Sequence, residues 1–158
     1  MLASTGSWGK EPNVNQGPTV DHGHLQPIFV HFDDLDSMGM VHNTRYGLVV
    51  ERALTMFWDA QGYSFRNGKL GHPDASVGVA EFAITYKAPI FGTGLVYVHL
   101  VVDHIGDSSV VYAFRVLSAE GALHAEGRRV HIRLDPKTFR PTPWAEDTKA
   151  IYKTLTAS

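Results

Sequence analysis

HFDDLDSMGMVHNTRYGLVVERA, residues 31–53, places three aspartates directly before a segment with the apolar spacing of a helix. Apolar side chains recur at intervals of three and four from Tyr46 onward, which predicts a helix from about Asn43 to Gln61. Asn43 suits the N-cap that begins a helix, and Gly62 suits the left-handed position that ends one. Acidic residues are common at helix starts because they accept hydrogen bonds from free N–H groups and complement the helix dipole. The cluster therefore has either a structural or a chemical role.

The segments around the predicted helix have the pattern of β-strands. A short β-branched and aromatic segment, Gln26–Phe32, predicts one strand before the helix. Four strands are predicted after it, at residues 77–87, 94–105, 108–118 and 122–135. Short turns separate these four, so we expect a meander in which Gly92-Thr93-Gly94 is a hairpin turn. One helix followed by antiparallel strands predicts an α+β protein whose sheet curls around the helix.

The length of 158 residues and the order of these elements predict one domain. Residues 1–25 are rich in glycine and polar residues and predict a flexible N-terminal arm. The domain is then expected at 26–145, with a C-terminal tail at 146–158. Long edge strands would be exposed in a monomer, so a homodimer or a dimer of dimers is expected.

Composition excludes several classes of function. A formal net charge of -2 gives no basic excess, so nucleic acid is not an expected partner. The absence of cysteine excludes disulfides, thiolate catalysis and cysteine-ligated zinc. No apolar run has the length of a membrane span, and the start of the chain does not have the pattern of a signal peptide. We therefore expect a cytoplasmic protein without a membrane partner. His22 and His24 lack further spaced ligands, so no metal site is predicted there.

The acidic cluster can be compared with known chemistries. Asp34, Asp36 and Gly39 match the start of a calcium loop, but Met38 occupies a ligand position and Arg45 replaces the closing glutamate. Neither a G-x-S-x-G elbow nor a P-loop occurs. A carboxylate just before a helix start could attack a carbonyl, or take a proton from a water that does. The free N–H groups of the helix could hold the oxygen that becomes anionic, so transfer of an acyl group to water fits this arrangement.

The same residues carry a family resemblance. The run Asp36–Asn43, with Tyr46 and the segment Glu51–Ala53, resembles the hotdog-fold acyl-CoA thioesterases of the 4-hydroxybenzoyl-CoA thioesterase type, in which D-x-x-G-x-V leads into an N-x-x-Y helix start. YKAPIFGTGLVYV (86–98) and RRVHIRLDPKTFRPTPW (128–144) resemble later strands of that family. The resemblance covers roughly residues 26–145. It implies a hotdog fold, with a long central helix wrapped by a curved antiparallel sheet of about five strands.

The resemblance implies a thioesterase that acts on acyl-CoA or on an acyl-carrier protein. Asp36 matches the catalytic aspartate, either as nucleophile or as general base. Asn43 falls where a backbone N–H would form the oxyanion hole, and His42 is a further catalytic candidate because histidine is a common proton donor and acceptor in catalysis. The candidate substrate-binding residues are Gly39, Val41, Tyr46, Lys87, Arg128 and Arg129. No cofactor is implied. Met40 and His42 stand where similar H-V-N-N sequences have histidine and asparagine, which leaves the acyl substrate open.

Each assignment has a structural alternative. Asp36 could be only a turn residue, as Asp33 and Asp34 are expected to be. Asn43 could be only the N-cap, and Tyr46 could be a core residue. Two other functions stay open. One is a hotdog dehydratase, which needs a histidine acting with an acid, and the other is a noncatalytic acyl-binding protein.

Other polar residues of the helix and strands are expected to be structural. Glu51 is expected to pair with Arg45 or Arg52 on the same helix, or to face solvent. The strand histidines are expected to have structural roles; they are His99, His124 and His131.

Overall fold

The computed structural model describes residues 16–157. In chain order the elements are β1 (His24–Val30), α1 (Tyr46–Ala60), β2 (Phe65–Arg66), β3 (Lys69–Leu70), β4 (Val77–Tyr86), β5 (Gly94–Ile105), β6 (Ser109–Leu117), β7 (Leu123–Arg133) and α2 (Glu146–Thr154). Single 3-10 turns lie at Phe32–Asp34, Asn43–Arg45 and Pro73–Ala75. The predicted α+β class, with one long helix and five long antiparallel strands, is confirmed. None of the helices that the structure describes is long and apolar enough to span a membrane.

The five long strands form one sheet in the order β1-β5-β6-β7-β4. Only β5, β6 and β7 form a meander, so the predicted four-strand meander is wrong at β4. This strand pairs with β7 at the far edge, and residues 87–93 then return the chain to β5. Gly92-Thr93-Gly94 is therefore not a hairpin turn. Alternation along β4 predicts a strand but not its neighbour, because pairing is set by contacts distant in sequence.

Helix α1 packs on one face of this sheet. Its buried side chains follow the predicted spacing and are Tyr46, Val49, Val50, Ala53, Leu54 and Phe57. Opposite them lie the inward-facing residues of the central strands, including Val98, Leu100, Tyr112 and Phe114, all at most 2% exposed. Burial of these apolar surfaces is the main stabilising contribution to the fold.

The ends of α1 differ in how well they were predicted. At the C-terminus, Gly62 adopts a φ of 86°. Its N–H donates to the Asp59 carbonyl and that of Tyr63 donates to Trp58, which is a Schellman motif. At the N-terminus, a 3-10 turn precedes the α-helix, and the predicted N-cap is wrong: the side chain that caps the turn belongs to His42, not to Asn43.

Both ends of the described chain lie against the sheet. Before β1, a side chain at Gly17 would overlap the Tyr97 ring, and the His22 carbonyl is 2.7 Å from His99 Nε2. Residues 1–15, most of the predicted arm, lie outside the described residues. After β7, the segment predicted as a tail contains α2, whose Tyr152 is 2% exposed and belongs to the core.

We expect Gly127→Ala to lower the free energy of unfolding by about 2 kcal/mol or more. Gly127 lies in β7, and a methyl group there would overlap the Ala83 carbonyl oxygen of β4 and lie 2.7 Å from the Phe114 ring. The Gly47→Ala variant is the control, because its methyl group would lie 3.7 Å from the Phe82 ring, an ordinary contact. Urea unfolding measures both. Equal stabilities for the two variants would contradict the tight β4–β7 packing.

Candidate active site

The acidic segment before α1 forms a closed loop with Asp36 near its tip. The His42 N–H donates to the Asp34 carbonyl at 2.9 Å, and the Asp36 N–H donates to the Met40 carbonyl at 2.7 Å. Gly39 turns the chain with a φ of 74°, a conformation that favours glycine. Its N–H donates back to the Asp36 carbonyl at 3.1 Å. These bonds make residues 34–42 a compact turn rather than a loose connection.

The carboxylate of Asp36 is oriented by the backbone of its own loop. Its Oδ1 accepts hydrogen bonds from the N–H groups of Met38, at 2.8 Å, and Met40, at 3.1 Å. Among residues 16–157 no donor reaches Oδ2 within hydrogen-bond distance. One oxygen is thus fixed, and the other is available to a substrate or a water molecule.

A second segment of the chain also holds the loop. The Val41 N–H donates to the Ile90 carbonyl, and the Gly92 N–H donates to the Gly39 carbonyl, both at 2.9 Å. Residues 87–93 are the connection between β4 and β5, so the unexpected position of β4 has a consequence for the site. The return path of the chain passes beside the Asp36 loop and supports it.

Asp34 joins the loop to α1. Its side chain is fully buried, and Oδ2 accepts the His31 N–H at 2.9 Å and lies 3.4 Å from Nη1 of Arg52. Asp34, like Asp33, was predicted to be a turn residue. Nothing in the sequence pattern predicted that its side chain is buried and contacts Arg52 of α1. The contact fixes the position of Asp36 relative to the start of the helix.

The start of the helix presents a free N–H group. His42 Nδ1 lies 3.3 Å from the Thr44 nitrogen and 2.8 Å from its hydroxyl, and the Arg45 N–H donates to the His42 carbonyl. Within the described chain, the N–H of Asn43 donates to no acceptor. The Asn43 carbonyl accepts the Tyr86 hydroxyl at 3.0 Å, which ties the turn to β4.

A shallow cavity of about 270 Å3 lies beside this turn. Several predicted site residues line it, together with neighbours from the return segment; they are Met40, Val41, Asn43, Tyr46, Tyr86, Lys87, Ala88 and Pro89. Burial raises the pKa of Tyr46, which is 4% exposed and packs edge-on against Tyr86 at 5.0 Å. Lys87 is half-exposed and pairs with Glu126 at 3.2 Å.

The two neighbouring arginines do not act at one place. Successive residues of a strand point to opposite faces, so Arg128 and Arg129 are separated by the sheet. Arg128 is exposed and pairs with Glu81 on the outer face. Arg129 is 6% exposed, faces α1 and pairs with Glu51. The expectation that Glu51 pairs within its own helix or faces solvent is therefore incomplete, because its partner comes from β7.

Arg129 also contacts a buried histidine. Its Nε donates to His131 Nε2 at 2.8 Å. Burial, reinforced by the positive charge of Arg129, lowers the pKa of His131 to about 4. The imidazole is therefore neutral at physiological pH. Because they are two residues apart in β7, Arg129 and His131 can be assigned to one face of the sheet from the sequence alone. The sequence does not show that this face is the buried one.

Known proteins resemble this chain in sequence and fold. The sequence model of the Thioesterase-like superfamily matches residues 30–151. The acyl-CoA thioester hydrolase YbgC of Escherichia coli is 23% identical over 127 residues, which are 80% of this chain and 93% of that protein. A Thermus thermophilus thioesterase, solved in complex with coenzyme A and zinc, is 26% identical with a TM-score of 0.68, over 83% of this chain and 92% of that one. A DHNA-CoA thioesterase from Staphylococcus aureus shares the fold at 21% identity and a TM-score of 0.68, over 82% and 87% of the two chains.

The fold is that of the hotdog thioesterases, as the sequence predicted. The predicted class of enzyme, a thioester hydrolase, is confirmed by the matching family and by the names of these relatives. The chain belongs to the Thioesterase-like superfamily.

We expect Asp34→Ala to destabilise the protein by about 2–3 kcal/mol, because it leaves the His31 N–H and the partly buried Arg52 without their shared acceptor. The matched control is Asp59→Ala. It removes the more exposed ion pair between Asp59 of α1 and Arg66 of β2. That loss should cost less than about 1 kcal/mol. Chemical denaturation followed by circular dichroism gives both values. If the Asp59→Ala control were as unstable as Asp34→Ala, the buried contact would contribute no more to stability than the exposed ion pair.

Proposed function

We propose that this protein hydrolyses acyl-CoA thioesters and that Asp36 is the catalytic carboxylate. The observation that carries the proposal is the Asp36 side chain itself: two backbone N–H groups hold Oδ1, and no described residue binds Oδ2. The named activity of the Escherichia coli relative and the coenzyme A in the Thermus thermophilus structure support acyl-CoA as the substrate class. An acyl-carrier protein is the alternative carrier.

In the proposed reaction the thioester carbonyl lies at the helix start. Its oxygen accepts the N–H of Asn43, and this donor stabilises the negative charge that develops when the carbonyl carbon is attacked. Asp36 Oδ2 either attacks that carbon, giving an acyl-enzyme anhydride and the CoA thiolate, or takes a proton from an attacking water. In the first route a water then hydrolyses the anhydride and restores the carboxylate. Both routes end in the free acid and CoA thiol.

The other predicted residues would support this reaction in different ways. Gly39 allows the turn that brings the Met40 N–H to the carboxylate. Val41 and Tyr46 line the cavity beside the helix start, and Lys87 lies at its edge, where a cation would favour the phosphates of CoA. His42 keeps Nε2 for contact with substrate, since Nδ1 contacts Thr44.

We further propose that the protein assembles as a homodimer through the edge of β4, or as a dimer of such dimers. No described strand pairs with that edge of β4. Its apolar side chains are unusually exposed and are Val77, Val79, Phe82 and Tyr86, at 37–51%. A second copy would cover them and would remove an edge prone to aggregation.

We expect Asp36→Asn to lower kcat/KM for thioester hydrolysis by roughly 10³-fold, since the amide can neither attack nor take up a proton. Release of the CoA thiol measures turnover, and circular dichroism with size-exclusion chromatography checks fold and assembly. The control is Asp33→Asn, which changes an exposed carboxylate in the 3-10 turn just before the loop and should keep full activity. If Asp36→Asn retained turnover, the assignment would be wrong.

The same assay separates the remaining functions. Thiol release from acyl-CoA, and not from the matching acyl-carrier protein, supports the proposed carrier. Loss of water from a 3-hydroxyacyl thioester without thiol release would identify a dehydratase. Tight binding of acyl-CoA without either reaction would identify an acyl-binding protein.

A further inference from the structure

A second, deeper cavity lies farther along α1, among α1, β7, α2 and the segment before β4. Its volume is about 310 Å3. Most of its wall is apolar or aromatic and is formed by Leu54, Trp58, Tyr63, Val77 and Tyr152.

One wall of this cavity contains hydrogen-bond donors with no partner. The Arg129 side chain is 7% exposed; its Nε donates to His131 and its Nη2 to Glu51. The guanidinium has five N–H groups, and within residues 16–157 the other three reach no acceptor. Buried donors in native proteins are nearly always paired with protein, water or ligand. An acceptor in the cavity would satisfy them.

His131 adds a donor to the same wall. Its Nε2 accepts from Arg129, so the single proton of this neutral imidazole lies on Nδ1. No acceptor for that proton lies in the described part of the chain. The charge of Arg129 is balanced by Glu51 at the mouth of the cavity. The charge of Asp74, which also lines the cavity, is balanced by Arg133. The wall therefore offers donors without a net positive charge, which suits a neutral oxygen better than a carboxylate.

A row of contacts connects this cavity to the start of α1. Tyr86 donates to the Asn43 carbonyl. Phe82, four residues earlier on β4, faces Gly47 of α1, and its ring centroid is 5.9 Å from Arg129 Cζ. Glu51 comes eight residues after Asn43, which is about 12 Å along a helix axis. An acyl group whose carbonyl lies at the helix start would pass over the Phe82 ring, which is 37% exposed, to reach the donor wall.

We infer that this cavity binds the far end of the acyl group, and that Arg129 and His131 select acyl groups with a neutral oxygen at that end over plain hydrocarbon chains of equal length. The inference rests on the proposed function, because it assumes that the thioester lies beside Asp36. A hydrocarbon chain would leave the donors unpaired, whereas a hydroxyl or carbonyl oxygen would accept from them.

The test compares 8-hydroxyoctanoyl-CoA with octanoyl-CoA on the full-length protein. Wild type should show a kcat/KM at least tenfold higher for the hydroxylated substrate. Arg129→Met should reduce this ratio to near one, whatever its effect on the rate for octanoyl-CoA itself. His131→Phe, which removes the second donor, should also lower the ratio and serves if Arg129→Met does not fold. The control Arg66→Met removes an exposed arginine and should leave the ratio unchanged.

The outcomes separate this inference from the proposed function. A wild-type ratio of one or less, or a high ratio that both cavity variants retain, would overturn the selectivity while hydrolysis through Asp36 stands. Should wild type hydrolyse neither substrate, the proposed function fails. The ratio of dissociation constants for the two thioesters, measured by calorimetry on Asp36→Asn, then still tests the cavity.

Discussion

The contact between Asp34 and Arg52 is the constraint on which the proposed site depends. In the proposed mechanism the carboxylate of Asp36 and the N–H of Asn43 must keep a fixed separation, and these two groups lie on different elements, a loop and the start of a helix. The buried Asp34 side chain binds the loop backbone at His31 and the helix at Arg52. Because a fully buried carboxylate is costly without partners, the fold tolerates few other positions for this loop.

The return path from β4 to β5 supplies the second support. Since β4 occupies the far edge of the sheet, residues 87–93 must cross beside the Asp36 loop to reach β5. The hydrogen bonds that this segment forms with Gly39 and Val41 support the loop. The order of the strands in the sheet therefore also determines which segment supports the Asp36 loop.

The inferred role of the deeper cavity in acyl binding would give α1 a second function. The start of the helix offers an N–H group, and its second turn places Glu51 against Arg129. Burying an arginine and a neutral histidine next to aromatic side chains lowers the stability of the fold, and apolar side chains at these positions would give a more stable protein. Such groups commonly remain where they bind a ligand or determine its specificity.

Sequence predicted the parts of this protein that depend on local periodicity. The burial pattern of α1, its end at Gly62 and the presence of five long strands follow from spacing and turn residues. The position of β4, the partner of Asp34 and the opposite faces of Arg128 and Arg129 depend on contacts between distant segments, which periodicity does not encode. The family motif around Asp36 indicated the class of enzyme, whereas the residues that hold Asp36 in place required the structure.

The most direct test is a crystal structure with an octanoyl-CoA analogue in which a methylene group replaces the thioester sulfur. We expect its carbonyl oxygen to accept a hydrogen bond from the Asn43 N–H. Its carbonyl carbon should lie within about 3.5 Å of Asp36 Oδ2, or of a water that Asp36 holds. A carbonyl group bound away from both Asp36 and the helix start would contradict the proposed mechanism.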